Sequence, residues 1–143
     1  MTTPIWMLLA FAAWTVLLLV STIGAYRWGL ILTGKAPINS FRADQVEGAD
    51  WYRRSMRAHA NCVENLPVFG AIVFALYASQ LSGAAISYLS VAVLIARVAQ
   101  SLVHVCFQQT QTVAAIRFTL FFAQIICFAS LIVIIVRHAT STL

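Results

Sequence analysis

Four stretches of this chain are apolar over lengths that fit a lipid bilayer, and polar positions break the pattern in only a few places. Ile5 to Tyr26, Leu66 to Ser82 with a polar prelude, Ala84 to Phe107, and Ile116 to Val136 each supply the run of about 20 helical residues that a hydrocarbon core of roughly 30 Å demands. Runs such as MLLAFAAW have none of the period-2 alternation of a barrel wall, so the spans read as helices. The pattern predicts an all-α membrane protein, a four-transmembrane-helix bundle forming one integral membrane domain over 1–143. Its helices are expected at about 5–28, 52–82, 84–107 and 114–137, with a polar connection at about 29–51. The first span is expected to be retained, not cleaved as a signal peptide. It lacks a basic n-region, its apolar run is too long, and Arg27 and Trp28 follow it as a stop and an interface anchor. Pro67 has no amide hydrogen to donate, so a kink near Val63 is expected in the second helix.

The interruptions are not scattered. At about 100° per residue, Arg53, Arg57, Asn61 and Glu64 fall within roughly 80° of one another on the second helix, and Arg54 and Asn65 widen the stripe to about 120°. The third helix carries a second stripe, Arg97, Gln100, Ser101, His104 and Gln108, at i, i+3, i+4, i+7 and i+11. The two helices run antiparallel, so levelling Arg53 with Gln108 places Glu64 and Arg97 both roughly 16 Å deep. Asn61 and Gln100 then lie at roughly 12 Å, and Arg57 and His104 at roughly 6 Å. An unpaired charge at such depth costs at least a few kcal/mol, so an ion pair between Glu64 and Arg97 is expected, within the chain or between subunits. That leaves Arg53, Arg54, Arg57 and Arg117 without carboxylate partners of their own. Such a cluster suits a small anion with several carboxylates entering from the cytoplasm, with lipid-soluble partners entering sideways.

Composition sharpens the class. With 62% hydrophobic and 9% charged residues, the chain has more apolar surface than one small globular core could cover. The formal charge of +5 does not imply nucleic acid, because topology accounts for it. Six of the nine Lys and Arg residues (Arg27, Lys35, Arg42, Arg53, Arg54, Arg57) lie in or beside the first connection. That connection, which mixes Asp44, Glu47 and Asp50 with Arg42, is therefore expected in the cytoplasm, at the lipid surface or over the cytoplasmic mouth. The uncharged turn at Ser82 and Gly83 and both termini are expected on the opposite side. A multi-pass chain this short, with no retention signal, suits a bacterial inner membrane. Cys62, Cys106 and Cys127 all fall in the spans as small hydrophobes, and no disulfide framework is suggested. His59, His104 and His138 share neither a face nor a ligand spacing, so no metal is expected.

The run Arg57-Ala58-His59-Ala60-Asn61-Cys62-Val63-Glu64, followed by Asn65-Leu66-Pro67-Val68-Phe69, resembles the second-helix motif of the MAPEG family, the membrane-associated proteins in eicosanoid and glutathione metabolism. Arg97-Val98-Ala99-Gln100 is similar to that family's third-helix arginine motif. The resemblance spans roughly Trp51 to Gln124. It implies a homotrimer with glutathione as cofactor, bound between subunits near the cytoplasmic face, and a lipophilic small-molecule substrate. Carried over by position, Arg57, Asn61 and Glu64 would be glutathione-site residues with Arg97 as the buried partner, and Arg53 and Gln100 would join them. Family enzymes lower the thiol pKa with a donor beside the sulfur. Here Arg117 and His104 are the candidates, His104 standing where several family enzymes have a tyrosine. The implied activity is that of a glutathione S-transferase or peroxidase acting on lipophilic electrophiles. The alternative is a non-catalytic lipid- or glutathione-binding membrane scaffold of the same fold.

Blander roles compete residue by residue. Arg53 and Arg54 could snorkel to phosphates, and Asn61 and Gln100 could serve as interhelical glue. Phe118, Phe121, Phe122 and Phe128 are read first as packing or lipid-facing groups, and only second as a substrate groove. A channel is disfavoured, because the polar stripes are confined to the cytoplasmic half, and Val68 to Tyr77 opposite Ile86 to Ala96 close the outer half.

Overall fold

The apolar runs fold into four long helices, each long and apolar enough to cross a membrane: α1 (Thr3–Leu32), α2 (Asp50–Ala78), α3 (Ala84–Cys106) and α4 (Gln111–Ser141). A computed structural model of the protein describes residues 1–42 and 45–141; Asp44 of the connection lies outside them. No strand occurs among the described residues. The protein is an all-α, multi-pass membrane bundle.

Several boundaries differ from those the hydropathy pattern suggests, each for a local reason. α1 continues past Trp28, since Gly29 to Leu32 remain compatible with a helix, and it contains a π-helical stretch, Leu19–Gly24, that no periodicity signals. α2 stops at Ala78, short of Ser82. Gln80 takes a left-handed conformation (φ 53°), its amide donates to Tyr77 O at 3.1 Å, and the Leu81 amide donates to Leu76 O at 3.0 Å. These are the paired bonds of a Schellman motif, with Leu81 and Leu76 both on the core. Pro67 lies inside an unbroken α2. α4 starts earlier than expected, at Gln111, because Thr110 accepts from Val113 N through its hydroxyl (3.2 Å) and from Ala114 N through its carbonyl (2.9 Å) as an N-cap.

The core is threaded by aromatic rings from three helices. Phe11 of α1 lies 6.1 Å from Phe69 of α2, which stacks at 6.0 Å on Phe128 of α4. Around them pack Leu18, Ile72, Val73, Leu76, Val93 and Leu131. Most other large hydrophobic side chains, such as Val16, Phe74, Ile95 and Phe122, remain exposed on the outer faces, as lipid-facing positions do. The α1–α2 connection is fastened down at one end. Tyr26 stacks on Tyr52 at 4.3 Å and meets Trp51 edge-on at 5.4 Å. The Tyr26 hydroxyl accepts from Ala49 N at 3.2 Å. Gly48 passes so close that a Cβ there would stand 2.7 Å from the Tyr26 hydroxyl, and its φ of 133° also favours glycine.

Candidate functional site

The α3 stripe becomes a buried seam. Arg97, Gln100, Ser101 and His104 are all buried, because α3 lies against both α2 and α4. Along the α2–α3 contact, Arg57 Nη1 donates to Gln109 Oε1 at 3.4 Å, and Asn61 Nδ2 lies 3.3 Å from His104 Nε2. Deeper in, Cys62 Sγ and Ser101 Oγ are 3.4 Å apart. Relative to the levels counted from sequence, the helices are shifted by about one turn, ~5.4 Å. Asn61 therefore meets His104 where Gln100 was expected, and Arg57 meets Gln109 where His104 was expected.

That shift removes the Glu64–Arg97 pair within the chain. Glu64 is exposed on the outer face of α2 and makes no ion pair among the described residues. Arg97, only 1% exposed, instead donates from Nη2 to Gln124 Oε1 of α4 and lies 5.8 Å above the Phe11 ring. Gln124 in turn donates from Nε2 to Val93 O at 3.4 Å. A carboxylate was expected opposite the guanidinium, and an amide is found. Gln124 is the residue that sequence reasoning passed over. Its signal was available, as a lone amide deep in an apolar run and seven residues after Arg117, hence on nearly the same helix face.

Four of the candidate residues converge. Asn61, Gln100, His104 and Arg117 line a cavity of about 180 Å³ with Phe118 and Phe121. Gln100 Nε2 donates to Arg117 O at 3.3 Å, which ties α3 to the first turns of α4. Gln100 Oε1 and Arg117 Nε, both on residues of this wall, are buried and have no hydrogen-bond partner. A buried acceptor and a buried charged donor left open cost stability, and a ligand with complementary groups in this cavity would satisfy both.

Nearer the connection, Arg53, Arg54 and Arg57 surround a second recess of about 240 Å³ with Asp50 and Gln109. Arg53 pairs with Asp50 at 3.7 Å. Arg54 pairs with the same carboxylate and also donates to Val105 O at 3.3 Å, holding the C-terminal end of α3. One carboxylate thus serves two guanidiniums, and exposed Arg57, bonded to the neutral Gln109, has no carboxylate partner among the described residues. Arg97 lies behind the cavity wall and Glu64 outside it, so neither belongs to the recess in a single chain.

The donor set suits a peptide-like anion. Guanidiniums at the rim match carboxylates, amides on the wall match peptide groups, and the Phe118 and Phe121 rings leave an apolar side. Among the described residues no group of three His, Cys, Asp or Glu side chains could hold a metal ion. In comparisons with known proteins, a family model described as MAPEG family matches residues 4–137, nearly the whole chain. No curated protein and no solved structure gives a significant match.

Proposed function

Since the chain belongs to the MAPEG family, we propose that it is a membrane-bound glutathione-dependent transferase or peroxidase acting on lipophilic electrophiles. It works as a homotrimer with glutathione held between subunits near the cytoplasmic face, in a membrane such as the bacterial inner membrane. The observation that carries this reading is the open acceptor and donor, Gln100 Oε1 and Arg117 Nε, in the cavity wall below a rim of exposed guanidiniums. Size supports the shared site. The cavity of about 180 Å³ is smaller than the roughly 300 Å³ at which small-molecule sites begin, and wall from a second copy would enlarge it to that range.

In this site Arg57 and Arg53 engage the carboxylates of the tripeptide through charge-assisted bonds. Asn61 and Gln100 hold its peptide groups, and Glu64, exposed toward the neighbouring copy, accepts from its ammonium. Arg97 acts from behind the wall, where its buried charge adds positive potential beneath the bound anion. When bound, glutathione supplies the thiol that becomes the nucleophile. Arg117 donates to the sulfur and favours the thiolate, with His104 as the second candidate for that place. Phe118 and Phe121 keep water away and give the lipophilic substrate an apolar approach from the bilayer.

Titration of the detergent-solubilised protein with glutathione tests the proposal. Saturable binding is expected, weakened about 10- to 100-fold by Arg57→Ala, the loss of one or more charge-assisted bonds. Absence of saturable binding to an intact trimer would overturn it. A second reading, a non-catalytic glutathione- or lipid-binding scaffold, is favoured by one observation: His104 Nε2 is already engaged by Asn61 at 3.3 Å. Binding without conjugation or peroxide reduction across varied electrophiles would select the scaffold.

A further inference from the structure

A groove on α1, remote from the residues assigned to glutathione, has a composition of its own. It begins with the sequence LVSTIG, which forms the π-helical stretch Leu19–Gly24. A π turn takes in an extra residue and loosens the i→i−4 ladder, and such turns recur at functional positions. The hydroxyls make it tolerable here. Ser21 Oγ donates to Leu17 O at 2.7 Å and Thr22 Oγ1 to Leu18 O at 2.6 Å, so both hydroxyls are satisfied within the helix and their carbonyls gain an additional donor. The widened turn and the missing side chain of Gly24 open a groove of about 520 Å³, lined chiefly by Leu19, Val20, Ile23, Gly24, Arg27 and Trp28. That volume lies well within the range of small-molecule sites.

Arg27 gives the groove a charged end. Its Nε donates to the Tyr52 hydroxyl at 2.8 Å, Nη2 lies 3.8 Å from Met56 Sδ, and the guanidinium stands over the Phe41 ring at 5.5 Å. Every one of these partners is neutral, and no carboxylate pairs with Arg27 among the described residues. Five N–H donors are available and two are used, so a fixed, half-buried cation keeps donors for an anion. Trp28, exposed beside it, is the side chain that membrane interfaces favour. The groove walls belong to the outer surface of a membrane-crossing helix, with Val20 61% exposed, so hydrocarbon is the medium that meets them.

An apolar slot on the hydrocarbon side that ends at an unpaired guanidinium and an indole matches one kind of molecule. We infer that the α1 groove binds an acidic phospholipid, with an acyl chain along Leu19, Val20 and Ile23 and the phosphate on Arg27. The preference for an acidic headgroup follows from charge: six of the nine Lys and Arg residues lie in or beside this connection, each adding to the attraction for a negative leaflet. The site shares no residue with the glutathione cavity, so the two stand or fall separately.

Native mass spectrometry of the detergent-solubilised protein, titrated with phosphatidylglycerol and separately with phosphatidylcholine, tests the inference. A saturable phosphatidylglycerol adduct is expected, retained better than phosphatidylcholine. Arg27→Gln weakens it about tenfold, and Lys35→Gln, which removes a charge lying off the groove, weakens it much less. Because Arg27 also steadies Tyr52, Val20→Trp provides a second variant that fills the groove without touching the cation, and it too loses the adduct. Equal retention by folded Val20→Trp and wild type would overturn the site. So would a benzoylphenylalanine at position 20 that captures a second copy of the chain in place of lipid.

Discussion

The Arg97 guanidinium belongs to the largest fully buried side chain among the described residues, and its environment decides what a substitution there does. It is fully buried in a membrane helix, its Nε has no partner, and Gln124 supplies its hydrogen bond. Gln124→Leu keeps the volume roughly and removes the acceptor, stranding a buried cation. A loss of about 2 kcal/mol or more is expected, read as a lower midpoint of thermal unfolding in detergent. The pair Arg97→Met with Gln124→Leu removes both polar groups together and should recover most of that loss, since well-packed apolar replacements of buried polar pairs are often neutral. If the double variant were no more stable than Gln124→Leu alone, Arg97 would be held by something other than Gln124. The residue pattern revealed that Arg97 must be buried against polar company. It could not reveal which, because charge complementarity favours a carboxylate while the actual register offers an amide.

At the scale of elements, what the chain declares openly is length and apolarity, and what it hides is register. Four apolar runs can only be helices in a bilayer, so the bundle was legible from hydropathy alone. The relative slide of α2 and α3 was not, because it depends on where each helix truly ends, and capping in short polar turns sets that to within a turn. α2 ends at Ala78, four residues short of Ser82, and α3 begins at Ala84, and across that turn Asn61 lies opposite His104. The π-helical stretch was equally silent, since LVSTIG reads as ordinary membrane helix. Capping also yields a prediction. Gln80 occupies a left-handed position that glycine takes without steric cost. Gln80→Gly should therefore raise stability by about 1 kcal/mol, visible as a higher unfolding temperature. An unchanged or lower midpoint would mean that the Gln80 side chain contributes more than its backbone costs.

For the whole molecule the decisive feature is a carboxylate facing outward. Glu64 is exposed near the middle of α2, a helix that crosses the membrane, and a charge at such a position costs roughly 2.5–3.5 kcal/mol against lipid. That cost disappears if another copy covers this face, as the proposed trimer does, and the small cavity beside Asn61 and Arg117 gains its missing wall in the same step. Assembly and glutathione binding are then one event. Titrating glutathione into the protein under detergent conditions that leave trimers intact, and again where they dissociate to monomers of unchanged helicity, separates the alternatives. Binding is expected in the first condition and a loss of at least tenfold in the second, because in the proposed site Glu64 of one copy would meet the Arg57 rim and the Arg117 cavity of its neighbour. Monomers that bind with undiminished affinity would place the whole site within a single chain, and Glu64 would then need another reason to face the hydrocarbon.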